Sequence, residues 1–148
     1  MTAYQSIQKV LFNHCDPAGI VFYPRYFEML NGVVEEWFEE ALNCSFAEMH
    51  LNRKTGVPTA HLEVDFKKPS RLGEELIFEI GVEKLGGSSA DCVFAVTGRA
   101  DHVLRFEGKL TLVYFSMETG RALRWPADLS QALKTFIISS KEQENNNA

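Results

Sequence analysis

One long helical stripe followed by a run of strand patterns sets the limits on this fold. From Pro24 onward the apolar residues Phe27, Leu30, Val34, Trp37, Phe38 and Ala41 recur at helical spacing. Glu28, Glu35, Glu36, Glu39 and Glu40 fill much of the remaining surface. The spacing predicts roughly five turns, from Pro24 to near Asn43. Proline suits the first helical position, because its missing N–H would have no intrahelical partner there. A stripe this apolar needs a broad partner surface, most simply a sheet.

The strands for that sheet lie on both sides of the helix. Ser6 to Phe12 alternates, with Val10 and Phe12 on one face. Ser45 to Leu51 reads as a short second helix or turn. Val57 to Lys68 alternates next, with Leu62, Val64 and Phe66 together. Leu76 to Leu85 follows, with Leu76, Phe78, Ile80 and Val82 on one face. Gly86-Gly87-Ser88-Ser89 is a hairpin signal. Ala90 to Ala100 and Val103 to Phe115 are two further strands. Met117 to Gly120 turns the chain again, Arg121 to Trp125 extends the sheet, and Asp128 to Phe136 reads as a C-terminal helix. The order predicts an α+β fold, an antiparallel sheet wrapped over one long helix. One helix cannot cover both faces of such a sheet. The other face, or an edge strand, is expected to meet a second subunit.

Length and composition narrow the function classes. The 148 residues fit one domain, expected to span 1–140, with 141–148 a polar, disordered tail. Hydrophobic residues make up 45% and include 11 Phe, enough for a large core or an apolar binding groove. The net charge of −5, with no basic stripe, argues against nucleic acid as a partner. Cys15, Cys44 and Cys92 form neither a disulfide framework nor a zinc pattern. Met1-Thr2-Ala3-Tyr4-Gln5 has no charged n-region or apolar h-region and no apolar run reaches about 18 residues, so neither a secretory signal nor membrane insertion is expected, and a cytoplasmic setting is.

The chemistry concentrates at the junction before the helix, His14-Cys15-Asp16-Pro17-Ala18-Gly19-Ile20-Val21-Phe22-Tyr23-Pro24-Arg25-Tyr26. Asp16-Pro17-Ala18-Gly19 is turn chemistry: Asp can bond its own following backbone and Gly19 can take positive φ. The turn sets a carboxylate close to a helix N-terminus. Unpaired N–H groups there suit a developing oxyanion, and the carboxylate can attack directly or activate water. Taken alone, Asp16 also fits a plain turn residue satisfied by local N–H bonds. No G-x-S-x-G elbow supports a serine nucleophile at Ser88 or Ser89. Cys15 would need a basic partner that only His14 could supply.

This segment, with the order of elements, resembles the hotdog-fold acyl-CoA thioesterases of the 4-hydroxybenzoyl-CoA thioesterase-like family. Asp16, Pro17, Ala18, Gly19, Ile20, Val21, Tyr23, Pro24 and Tyr26 stand at signature positions, and Trp125-Pro126-Ala127-Asp128 is similar to that family's C-terminal segment. The resemblance implies hydrolysis of an acyl-CoA to free acid and CoA. It implies Asp16 as nucleophile or general base, and the Tyr23 N–H as the donor that polarises the thioester carbonyl. Gly19, Ile20, Val21 and Pro24 would touch substrate, with His61 as a further pocket candidate from its strand. The family uses no cofactor and no metal, and it forms homodimers that pair into tetramers.

Two departures matter. The hairpin at Gly86-Gly87-Ser88 is neutral where relatives place basic residues against CoA phosphates, leaving Lys67, Lys68, Arg71 and Lys84 as available cations. Tyr23 stands where the Tol-Pal-associated branch carries His. Glu35, on the helix, is the second candidate base. A non-catalytic acyl-CoA-binding dimer and an acyl-carrier-protein thioesterase stay open as alternatives.

Overall fold

The computed structural model describes residues 3–138; the expected tail at 141–148 lies outside them. In chain order the elements are β1 (Tyr4–Lys9), α1 (Tyr23–Glu40), β2 (Thr55–Gly56), β3 (Thr59–Phe66), β4 (Glu75–Leu85), β5 (Ser89–Gly98), β6 (Leu104–Val113), β7 (Phe115–Ser116) and α2 (Ala127–Lys134). A 3-10 turn at Phe12–His14 precedes α1, and a π-helical turn at Glu48–Asn52 follows it. Five strands form one antiparallel sheet in the order β1-β4-β5-β6-β3, while β2 and β7 pair separately.

The inner face of this sheet and α1 share one core. Tyr26, Met29, Leu30, Val33, Val34, Trp37 and Phe38 of α1 are buried. They belong to the same cluster as Leu76, Phe78, Ile80 and Val82 of β4 and Ala90, Cys92, Phe94 and Val96 of β5. β5 alternates strictly between buried and half-buried, as a strand with one core face must. Tyr26, Met29 and Val33 widen the buried stripe beyond the residues expected to define it, and Phe27 sits half-buried at its margin. No helix among the described residues is long and apolar enough to cross a membrane.

Several boundaries differ from expectation, and three of them shape the site and the sheet. β1 ends at Lys9, because Val10 leaves it to exchange hydrogen bonds with the segment before β4 (Val10 N–H to Glu74 O, 2.8 Å; Gly73 N–H to Val10 O, 3.0 Å). Val10 is fully buried, whereas Phe12 swings out in the 3-10 turn and is 84% exposed. α1 begins one residue early, with Tyr23 first and Pro24 second, which costs nothing since neither position has an intrahelical acceptor. Arg121–Trp125 joins the sheet irregularly: Leu123 N–H bonds Tyr114 O (2.9 Å) and Trp125 N–H bonds Gly87 O (2.8 Å), with no full strand.

β3 is an outer strand, and seven of its eight residues are exposed. Leu62 and Phe66, expected on one shared face, are 39% and 50% exposed. Its one neighbour, β6, approaches closely at Gly108. A Cβ there would overlap the Glu63 carbonyl oxygen and stand 2.9 Å from Phe94 Cζ. Gly108→Ala is therefore expected to push β3 off the sheet and cost about 2 kcal/mol or more, read as a lower denaturation midpoint. An unchanged midpoint would contradict this packing.

Candidate active site

The segment before α1 folds into a small hairpin. Cys15 and Val21 bridge, Asp16 N–H bonds Ile20 O (2.9 Å), and Phe22 N–H bonds His14 O (2.9 Å). Asp16 occupies its tip. Ala18 N–H donates to Asp16 Oδ1 (2.9 Å), and Gly19 N–H donates to Asp16 O (3.0 Å). Gly19 sits at φ +80°, a conformation open to glycine at little cost. Asp16 thus has the local turn bond that a plain turn residue would have. Its other carboxylate oxygen has no protein hydrogen-bond partner among the described residues.

The helix start completes the geometry. Phe22 caps α1 without a side-chain hydrogen bond, and Arg25 N–H turns back to Phe22 O (2.8 Å). Pro24 has no N–H. Tyr23 N–H is left without an acceptor among the described residues, at the positive end of an 18-residue helix. One turn therefore supplies a half-free carboxylate, and the adjoining helix start supplies one free donor.

A cleft of about 440 Å³ opens beside the turn, lined by Phe12, Cys15, Asp16, Pro17, Gly19 and Leu72. Phe12 and Leu72 are residues that sequence reasoning did not single out. Phe12 continues the expected alternation of the first strand, and Leu72 carries no motif. Next to the helix start, Tyr23 lies 6.1 Å (ring centroids) from Phe66, 5.8 Å from Phe22 and 6.4 Å from Phe27. Phe22 and Tyr23 are 50% and 59% exposed. An exposed aromatic surface thus adjoins the Tyr23 N–H.

The expected substrate contacts divide. Asp16 and Gly19 line the cleft. Ile20 and Pro24 are half-buried and are not among its lining residues. Val21 is not available: its side chain is 6% exposed in the core and its N–H is bound to Ser70 O at 2.9 Å. His61 lies on outer strand β3, exposed and bonded through Nε2 to Glu63 (2.8 Å), and does not line the cleft. His14 uses Nδ1 to accept Leu11 N–H (2.9 Å), which makes it a clamp on the 3-10 turn. Cys15 is half-buried with Sγ directed at Leu11 O (3.5 Å). Glu35 is solvent-exposed on α1.

Of the cations, Lys68 pairs with Asp101 (3.3 Å) and the Arg71 backbone bridges Ile20 beside the turn. The neutral hairpin has a cation after all. Arg124 lies over Gly87, where an added Cβ would stand 3.2 Å from Nη1. No three His, Cys, Asp or Glu side chains gather as a metal set among the described residues.

Comparison with known proteins agrees with this architecture. A model of the thioesterase-like superfamily matches residues 10–133, and the chain belongs to that superfamily. Over 91 residues it is 30% identical to a 1,4-dihydroxy-2-naphthoyl-CoA hydrolase of Nostoc punctiforme, a stretch that covers 60% of this chain and 59% of that protein. The fold superposes on a 1,4-dihydroxy-2-naphthoyl-CoA thioesterase from Synechocystis with TM-score 0.81 at 16% identity, covering 89% of this chain and 96% of the other. It superposes equally on a 4-hydroxybenzoyl-CoA thioesterase variant complexed with 4-hydroxybenzoyl-CoA, TM-score 0.81 at 21% identity, covering 90% and 99%. The fold is the hotdog fold.

Charge around the neighbouring turn makes a pH prediction. Arg105 donates to Glu74 (2.6 Å) and to Asp101 (2.8 Å). Hydrogen bonds from Arg105 and Val103 N–H hold the Asp101 carboxyl well below the usual carboxylate range. For Glu74, burial pulls upward, but bonds from Arg105 and Arg71 N–H outweigh it and its carboxyl is lowered too. Both groups bind protons less readily folded than unfolded. The stability they contribute is present above the unfolded carboxylate range, about pH 4, and is lost as pH falls through the folded values. Acidification from about pH 5 to about pH 2 should therefore destabilise the parent more than a Glu74→Gln/Asp101→Asn double variant, measured by urea denaturation. Equal losses would contradict the assignment.

Proposed function

We propose that this protein hydrolyses an acyl-CoA thioester to the free acid and CoA, with an aromatic acyl group as the favoured substrate. The observation that carries the reading is a half-free Asp16 carboxylate in the turn that leads into α1, whose first N–H, at Tyr23, has no acceptor among the described residues. The thioester carbonyl oxygen accepts from Tyr23 N–H, and such a donor is worth about 3 kcal/mol of transition-state stabilisation. In one route Asp16 attacks the carbonyl carbon and the C–S bond breaks. CoA leaves as thiolate, and water then cleaves the mixed anhydride. In the other route Asp16 takes a proton from a water that attacks directly. The thiolate is a good leaving group, so strong acid assistance is unnecessary.

Substrate class draws support from two directions. The relatives named above are a dihydroxynaphthoyl-CoA hydrolase and a 4-hydroxybenzoyl-CoA thioesterase, both acting on aromatic acyl groups. Beside the helix start, Phe22, Tyr23, Phe27 and Phe66 form an aromatic surface suited to a flat ring. Arg71, Lys67 and Arg124 are the cations offered to the CoA phosphates. The same reading makes the protein a homodimer joined along β3, with dimers pairing into tetramers. In its favour are the exposed outer strand and its half-exposed Leu62 and Phe66. His61 would reach a site only across such a contact.

A panel of benzoyl-, hydroxybenzoyl-, naphthoyl- and short aliphatic acyl-CoAs, with acyl-carrier-protein thioesters alongside, tests the reading through thiol release. Aromatic acyl-CoAs should be hydrolysed with kcat/KM at least about tenfold above the aliphatic ones, roughly the discrimination an apolar pocket supplies. Thiol release at background rate from every member would defeat it.

A further inference from the structure

Arg105 on β6 is the one buried charged residue among those described, 2% exposed. A guanidinium removed from water is costly unless its donors are paired. Here Nη1 donates to Val103 O (2.9 Å) and Nη2 is shared between Glu74 Oε2 (2.6 Å) and Asp101 Oδ2 (2.8 Å), while the buried Nε has no partner among the described residues. Gly98 on the neighbouring strand makes the room: a Cβ there would stand 2.5 Å from Nη2. The position is thus built for an arginine that reaches a carboxylate on another element.

That carboxylate closes a turn. Glu74 Oε1 accepts Arg71 N–H (3.0 Å), and Glu74 N–H donates to Arg71 O (3.1 Å). At the far end of the same connection, Arg105 O accepts the N–H groups of Lys67 (2.8 Å) and Lys68 (3.2 Å). One residue therefore anchors the segment 67–74 at both ends. This segment is what the Asp16 hairpin rests on. Val21 N–H donates to Ser70 O (2.9 Å) and Leu72 N–H donates to Gly19 O (3.1 Å), after Asp16 in the chain. Val10 exchanges bonds with Gly73 and Glu74 before it. Both arms of the loop that carries Asp16 are tied to the turn that Arg105 and Glu74 close.

We infer that Arg105 and Glu74 are positioning residues. They touch no substrate, and they fix the Asp16 carboxylate relative to the Tyr23 N–H through the backbone of the Ser70–Glu74 turn. The kinetic consequence rests on the thioesterase reading; the mechanical one does not. A misplacement of about 1 Å in such a pair can cost up to a hundredfold in rate.

The test uses the full chain with Glu74→Gln, Arg105→Lys and, as a control for stability loss alone, Arg53→Met. Arg53 pairs with Asp128 (2.8 Å), away from the turn. Glu74→Gln keeps the shape and leaves Arg105 its Asp101 partner. Arg105→Lys keeps the charge but cannot hold three acceptors in one plane. Both are expected to lower kcat about tenfold with KM within about twofold. Amide exchange at Val21 and Leu72 should speed at least about tenfold while β5 amides keep their protection. Arg53→Met should lower the melting temperature and leave kcat alone. Wild-type kcat in folded Glu74→Gln protein, or unchanged exchange at Val21 and Leu72, would overturn the inference. If the wild type releases no thiol, the thioesterase reading fails and the exchange rates alone decide the mechanical link.

Discussion

The buried face of α1 can be satisfied only by an apolar surface several strands wide, and the inner face of the sheet is that surface. Trp37 and Phe38 are fully buried there, and removing a side chain such as that of Phe38 from water stabilises by roughly 1.5–3 kcal/mol. Packing along this stripe leaves little freedom in where the helix begins. The first turn is held by Tyr26, whose ring lies tilted against Phe106 of β6 at 4.4 Å between centroids. With the axis and first turn fixed by the core, the Tyr23 N–H points from a rigid element, and the hairpin before it need only bring Asp16 alongside.

The hairpin depends on a different kind of force. It contributes few apolar side chains to the core beyond Val21, and its conformation rests on hydrogen bonds to the Ser70–Glu74 turn. On the proposed reading, packing therefore sets the Tyr23 N–H and polar bonding sets the Asp16 carboxylate. A site assembled this way can keep its carboxylate accessible to water and substrate without weakening the core beneath it. It also explains why a buried guanidinium lies behind an exposed turn: the turn has no apolar contact strong enough to hold it alone.

Local chemistry made much of this legible in the sequence. Asp16-Pro17-Ala18-Gly19 specifies a turn through its own side-chain bond and positive φ, and Pro24 marks a helix start within one residue. The Leu76–Val82 alternation and the Gly86–Ser89 turn identified a strand and hairpin for the same reason. What escaped depends on residues distant in sequence. Phe12 continues the strand alternation, yet the chain leaves β1 because Val10 pairs with Glu74. Val21 reads as a pocket residue, but the hairpin turns it inward. Leu62 and Phe66 share a face by their alternation, but the alternation does not tell that within one chain this face is half in water. Arg105 carries no signal of its own in the sequence; its burial requires Gly98, Glu74 and Asp101, which no local pattern connects.

Single-turnover thiol release compared between the wild type and Asp16→Asn bears most directly on the central claim. Asparagine can still accept the Ala18 N–H, so the turn survives while the nucleophile or base is lost. The rate should fall by at least about a hundredfold, the lower range for losing a positioned base, with substrate still bound and the melting temperature preserved. An Asp16→Asn protein that releases thiol as fast as the wild type would contradict a catalytic role for this carboxylate.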